Sequence, residues 1–279
     1  MKANRFFMTA IFAIIGVLAA AQPWMMRPQG PANEFSAMEG TSVLNYNLQM
    51  ERDIHSRAGY GPAFYIFPDS KLDNNQALEL AEKLDLVNII KEYGGRIMVV
   101  NPSSDKWQDQ DLENFRRLIG MGGAPTNVKV IGIGSGATFV NRHLAATDLT
   151  GVIAGIVSID GDPGKICKLP VPAFIGGKNA AKAAKPYQAT SDAAPADPLQ
   201  KVVVNTDKKA SLETLFAEAW DEVLSANYRY NNLYRTFYMS RGIDNPEGVK
   251  NYELVSIPVF EKLGIQRNVV EYPLVDMNA

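Results

Sequence analysis

Residues 128–140 read VKVIGIGSGATFV. Four of the first six side chains are apolar, and Val and Ile dominate, which predicts a buried β-strand. Gly132, Gly134 and Gly136 then predict a tight turn, and ATFV opens a helix. Two chemistries fit these letters. Gly132, Gly134 and Ala137 match the dinucleotide pattern G-x-G-x-x-G/A. Gly132, Gly134 and Gly136 match the nucleophile elbow G-x-S-x-G, with glycine at the nucleophile position.

The elbow needs small residues two before and two after the nucleophile, because the turn is tight. Gly132 and Gly136 meet that need only when position 134 is the centre. Centring on Ser135 puts Ile133 and Ala137 at the flanks, and Ile is a poor fit. The dinucleotide reading needs an acidic residue about 20 residues further on, at the next strand end. Asp160 stands near that place. At least two strand–helix units precede the motif, however, whereas a dinucleotide fold usually begins with it.

Outward from the turn, strands and helices alternate. PAFYIFPDS (62–70) is a strand bounded by prolines. NNQALELAEKLDLVNIIKEY (74–93) has helical apolar spacing, with Asn74 or Asn75 as the cap. RIMVV (96–100) is a strand, and DQDLENFRRLI (109–119) a helix with an acidic first turn. VIAGIVSID and VPAFIGG are two more strands, then residues 187–201 read as loop and VVVN as a short strand. Residues 211–240 read as one or two helices, 255–263 as a last helix and RNVVEYPL as a last strand. Residues 22–58 read as a leader followed by an edge strand or hairpin. Strands apolar on both faces imply an α/β fold: a mostly parallel, twisted sheet with helices on both faces. Ligands of such sheets sit beyond the carboxyl ends of the strands. That selects PDS (68–70), NPSSDKW (101–107), GSGA (134–137), DGD (160–162) and GGKN (176–179).

Composition bounds the function. The chain has 279 residues, 46% hydrophobic and 21% charged, with a net charge of −2. Nothing in that balance points to nucleic acid. Lys2 and Arg5 precede the apolar run FFMTAIFAIIGVLAAA, which ends in small residues. This reads as a signal peptide over 1–21, cleaved near Ala21–Gln22, and predicts a secreted, periplasmic or cell-surface protein with no membrane span after cleavage. The domain is then 59–279. The single cysteine, Cys167, excludes an internal disulfide. It reads as a half-buried structural thiol, although Lys165 and Lys168 flank it and a nearby cation lowers a thiol pKa.

The order of segments over roughly 60–190 resembles the α/β-hydrolase fold. Within it, the chain is similar to the secreted polyhydroxybutyrate depolymerases and feruloyl esterases. PAFYIFPDS resembles their strand and oxyanion loop, which puts Pro68, Asp69 and Ser70 at the pocket. LAEKLDLVNIIKEYGGRIMVVNP resembles the helix and strand that follow. DLENFRRLI and NVKVIGIGSGATFVNRHLA resemble the acidic helix and the elbow, and GVIAGIVSIDGD and LPVPAFIGGKNAAKAAKPY the next two strands. The resemblance implies a nucleophile at the position of Gly134, an acid near Asn179 or Ala180, and a base after the last strand. None of these letters is present. His55 and His143 are the only histidines, and neither stands where the resemblance puts the base.

Ser135 is the one candidate nucleophile. A serine needs an oriented base, and without one its hydroxyl is expected to hydrogen-bond at the helix start. Gly134, Gly136, Trp107, Asp160 and Gly177 complete the expected oxyanion and pocket set. Asp69, Asp160 and Asp162, with Asp105, would be the carboxylates available to a hard cation. They read instead as turn formers, and no metal or cofactor is expected. The aromatic run 227–240 (Tyr228, Tyr230, Tyr234, Phe237 and Tyr238, with Arg229 and Arg235) reads first as a helix packed on the sheet, and second as the lining of a carbohydrate or aromatic-ester pocket. The leading expectation is therefore an exported α/β-hydrolase-fold protein without its triad, binding an ester, acid or glycan ligand or a partner protein. Two readings stand beside it. One is an active esterase using Ser135 with an unconventional base or a His beyond residue 279; the other is a Rossmann-like nucleotide-binding protein.

Overall fold

The computed structural model describes residues 31–38, 42–48, 62–93, 95–121, 128–147, 149, 152–169, 171–192 and 201–225. Their strands form one eight-stranded sheet. β1 (Glu34–Ala37) and β2 (Val43–Asn47) make the expected hairpin at one edge. β3 (Ala63–Phe67), β4 (Arg96–Val100), β5 (Val128–Ile133), β6 (Ile153–Ile159), β7 (Ala173–Gly176) and β8 (Val202–Asn205) follow. The spatial order is β1-β2-β4-β3-β5-β6-β7-β8. β2 runs antiparallel to β4, and every pairing from β4 to β8 is parallel. This is the α/β-hydrolase-like sheet expected from the sequence.

The parallel strands β3 to β7 are buried on both faces because each alternates its side chains between two cores, while the edge strand β8 is half-buried. In β3, Ala63, Tyr65 and Phe67 enter one core and Phe64 and Ile66 the other. The first core is covered by α3 (Asp109–Met121), by α4 (Ser135–Phe139) with its continuation as a π turn Val140–Leu144, and by α5 (Ala180–Ala183) and α6 (Lys185–Asp192). The second is covered by α1 (Asn74–Lys83), α2 (Leu86–Tyr93), and α7 (Leu212–Ala219) with its π turn Trp220–Leu224. Phe67 is a hub of the first core. Its ring lies 5.2 Å from Phe115, 5.4 Å from Trp107 and 5.8 Å from Phe139.

Local chemistry corrects three expectations. The segment 74–93 is two helices, not one. Asp85 takes φ +54°, its N–H donates to Glu82 O, and its Oδ1 accepts from Asn88 Nδ2 at 2.7 Å. An aspartate tolerates this left-handed geometry because its short polar side chain bonds locally. Asp73, not Asn74 or Asn75, caps α1. Its Oδ1 accepts from Gln76 N at 2.9 Å, and Gln76 Oε1 accepts from Asp73 N at 3.0 Å, a reciprocal capping box. Finally, α6 extends into the segment expected to be loop, because Tyr187 and Thr190, one turn apart, are both buried. The expected helices and strand beyond residue 225, the aromatic run, His55 and the leader all lie outside the described residues. Among the described residues, no helix is long and apolar enough to cross a membrane.

The chain leaves β3 towards the second core through α1 and α2, and leaves β5 towards the first core through α4. β3 and β5 are neighbours in the sheet. Their carboxyl ends therefore diverge to opposite faces, which opens a crevice between the loop at 68–73 and the turn at 134. Removing the Phe67 ring beneath this crevice, as Phe67→Ala, is expected to cost about 3–5 kcal/mol, measured as a lower urea midpoint with unchanged slope.

Candidate functional site

The turn after β5 has the geometry of an elbow centred on residue 134. Gly134 takes φ +57° and ψ −118°, a conformation strained for any residue with a Cβ. The flanks are small for a physical reason. A Cβ on Gly132 would lie 2.6 Å from Ala137 Cα, and one on Gly136 would run into the Phe67 carbonyl. The strand β5 and the helix after it pack too closely for the first, and that helix and the end of β3 for the second. The centre of the elbow is thus Gly134, as the flanking glycines predicted.

The next strand-end loop fills the space above it. Asp69 Oδ1 accepts a hydrogen bond from Ser135 N at 2.6 Å. The Asp69 carboxylate also occupies the volume into which a side chain at 134 would project. Ser135 is exposed, and its Oγ donates to the Asp69 main-chain carbonyl. Its hydroxyl was expected at the start of its own helix and instead reaches across the crevice. Two clamps hold the Asp69 loop. Trp107 Nε1 donates to Pro68 O at 3.1 Å. The Asn101 side-chain amide bonds Leu72 twice, donating to its O at 2.8 Å and accepting from its N at 3.0 Å.

A second carboxylate repeats the device one strand pair away. Asp160, at φ +59°, follows β6, and its Oδ1 accepts from Lys178 N at 2.9 Å. It lies against Gly177, which takes φ +91°. Asp162 goes elsewhere: its carboxylate pairs with Arg142 at 3.1 Å and accepts from Asn179 Nδ2 at 3.0 Å. The carboxylates Asp69, Asp160 and Asp162 are thus spent on separate partners. Among the described residues, no three His, Cys, Asp or Glu side chains gather in a way that would hold a metal ion. The place for a pyrophosphate over the glycine turn is taken by Asp69, and Asp160 is turned to Lys178 rather than to that turn.

Several candidates have structural partners instead of reactive ones. His143 stacks on Phe139, with ring centroids 5.2 Å apart, and its Nδ1 lies 3.3 Å from Asp109 Oδ1. Trp107 also stacks on Phe139, with ring centroids 4.7 Å apart. Asn179, near the place where the resemblance implies an acid, precedes α5 and serves Asp162. Cys167 is buried, and burial pushes its thiol up to about 12, opposite to the effect expected from its lysine neighbours.

Ser70, with Pro68 and Asp69, lines a cleft of about 320 Å³ on the α1 side of the crevice. Leu72, Leu80 and Ile133 give it an apolar wall, and Glu79 and Lys83 add charges. Sequence reasoning missed these α1 residues, because an exposed helix face carries no mark of what its neighbour leaves open.

No family model matches the chain, and no curated protein matches it. Solved structures with a similar fold include an alpha/beta hydrolase enzyme from a Medee basin deep-sea metagenome library. It is 15% identical, with 70% of this chain and 90% of that one covered and a TM-score of 0.44. A member of the a/b serine hydrolases without lid, from Xanthomonas campestris, is 16% identical over 70% and 96% of the two chains, with a TM-score of 0.41. A ferulic acid esterase is 10% identical over 66% and 90%, with a TM-score of 0.40.

Two measurements check this geometry. Gly134→Ala should destabilise the fold by about 1–2 kcal/mol from backbone strain alone, and by more because its Cβ meets Asp69. Combined with Asp69→Ala, the clash with the carboxylate should go and only the 2.9 Å approach to the Asp69 Cβ remain, giving a coupling of at least about 0.5 kcal/mol in a double-mutant cycle; strict additivity would contradict the contact. Cys167 should resist a thiol reagent in the native state at pH 8 and react on unfolding. Its folded pKa is raised, so its contribution to stability is intact below the ordinary thiol range and is lost as pH climbs towards about 12.

Proposed function

We propose that this is an exported α/β-hydrolase-fold protein that does not hydrolyse through its elbow and uses the strand-end crevice for binding. Its kinship within the fold is to the secreted polyhydroxybutyrate depolymerases and feruloyl esterases, a reading supported by the order of segments over 60–190. One observation carries the loss of chemistry: the Asp69 carboxylate sits on the Ser135 amide, over a glycine at the elbow centre. An acyl transfer at this turn needs a nucleophile at 134 and the amide of the following residue free to stabilise an oxyanion. Here the first is absent, and the second already serves an anion. A developing negative charge at that point would also face the Asp69 carboxylate at close range.

The same charge narrows the ligand. An acid would have to displace Asp69 to reach the Ser135 amide, so an ester or glycan that carries no negative charge, or a protein partner, suits the crevice better. A second reading, an esterase built on Ser135, is favoured by that side chain's exposure and by a carboxylate on the neighbouring loop. Against it, the hydroxyl donates to the main-chain carbonyl of Asp69 rather than to a base. The test is turnover of a panel of acetyl, butyryl and feruloyl esters by wild type, Ser135→Ala and Gly134→Ser. All three are expected to match the buffer rate. Wild-type turnover that disappears in Ser135→Ala would sink the non-hydrolytic reading.

A further inference from the structure

The cleft beside Asp69 has a composition that its place in the crevice does not require. It lies between α1 and the carboxyl ends of β3 and β5, where the chain leaves the sheet towards opposite faces. At about 320 Å³ it is at the small end of ligand pockets. Leu72, Leu80 and Ile133 supply hydrocarbon. Asp69, Glu79 and Lys83 all border it, and among the described residues neither carboxylate makes an ion pair. Asp69 uses Oδ1 on Ser135 N, and its Oδ2 has no hydrogen-bond partner among the described residues. Glu79 forms no hydrogen bond or ion pair among the described residues. Lys83 stands one turn beyond Glu79, the spacing that favours a Glu–Lys pair, yet it is held by Glu213 at 3.1 Å on α7. Lys83 thus lines the cleft with its ammonium paired to Glu213 on α7, not to Glu79.

We propose that this cleft binds a small amphiphilic cation, a primary alkylammonium, with its hydrocarbon on Leu72, Leu80 and Ile133 and its charge against Asp69 and Glu79. Each part of that ligand answers a feature of the cleft. Hydrocarbon leaves water against the leucines and the isoleucine. The ammonium has three donors and gives charge-assisted hydrogen bonds to the two carboxylates. A neutral amphiphile would cover the carboxylates without pairing them, which is unfavourable. A carboxylate amphiphile would bring a third like charge. The proposal goes beyond the loss of hydrolysis and is read by binding, not by turnover.

Isothermal titration of the purified full chain, with octylammonium, octanol and octanoate each below its aggregation concentration, tests it. Octylammonium is expected to bind at least about tenfold more tightly than either of the others. Glu79→Gln, at an exposed and isosteric position, should weaken it several-fold, and Asp69→Asn with Glu79→Gln by about tenfold or more. Leu80→Lys should abolish binding by adding a second cation to the cleft beside Lys83 and removing part of its apolar wall, while circular dichroism checks that the fold is intact. Equal affinity for octanol and octylammonium would overturn the proposal, as would full affinity in Glu79→Gln or no binding by wild type. A failed titration leaves the non-hydrolytic reading intact, since ester turnover decides that separately.

Discussion

One hydrogen bond organises the carboxyl edge of this sheet: Asp69 Oδ1 on Ser135 N, across the end of β3 and β5. It ties together two loops that leave the sheet in opposite directions. The turn it reaches can accept it only because residue 134 has no side chain. With a Cβ there, the carboxylate would have to leave. The glycine at the elbow centre and the carboxylate above it are therefore two sides of one arrangement. A further bond along the same edge, Gly134 N to Ile159 O, joins the elbow to the β6 end, and Asp160 N to Gly176 O joins β6 to β7. The strand ends are stitched to one another in series.

That stitching rests on packing beneath it. Trp107, Phe139 and Phe67 form an aromatic group under the Asp69 loop, and Trp107 hands its indole N–H to Pro68 O. Asn101 grips Leu72 from the β4 end. The loop is thus fixed from the two neighbouring strand ends, those of β4 and β5, and Asp69 has little freedom in where it puts its carboxylate. Beyond the elbow, Asn141 donates to Asp162 O and accepts from the Tyr187 hydroxyl, so α4 is joined to the β6 loop and to α6. Burial raises the Tyr187 pKa well above its ordinary value, which suits a hydroxyl that acts here only as a neutral donor.

Much of the scaffold was legible in the chain. The apolar runs 63–67, 96–100, 128–133 and 153–159 could be read as doubly buried strands, since few other uses exist for such runs between helical segments. The elbow register followed from the spacing of Gly132 and Gly136, although only Gly132 is kept small by sequence neighbours, Ala137 and Val140, while Gly136 is kept small by Phe67 and Pro68. Asp73 and Gln76 also carried a readable capping signature, three residues apart, that the neighbouring asparagines obscured. The break at Asp85 was harder, because leucine and valine continue the helical spacing across it.

What the sequence by itself determined was the alternation of elements, their burial, and the identity of the turn, for these depend on periodicity and on contacts within a few residues. Only the tertiary structure decided what occupies that turn. Asp69 and Ser135 are far apart in the chain, and parallel pairing of β3 with β5 brings them to one place. The same holds for the cleft, whose wall combines one helix, one loop and the end of a strand. No local pattern records that Lys83 turns to Glu213 and leaves Glu79 unpaired, because that choice depends on where α7 packs.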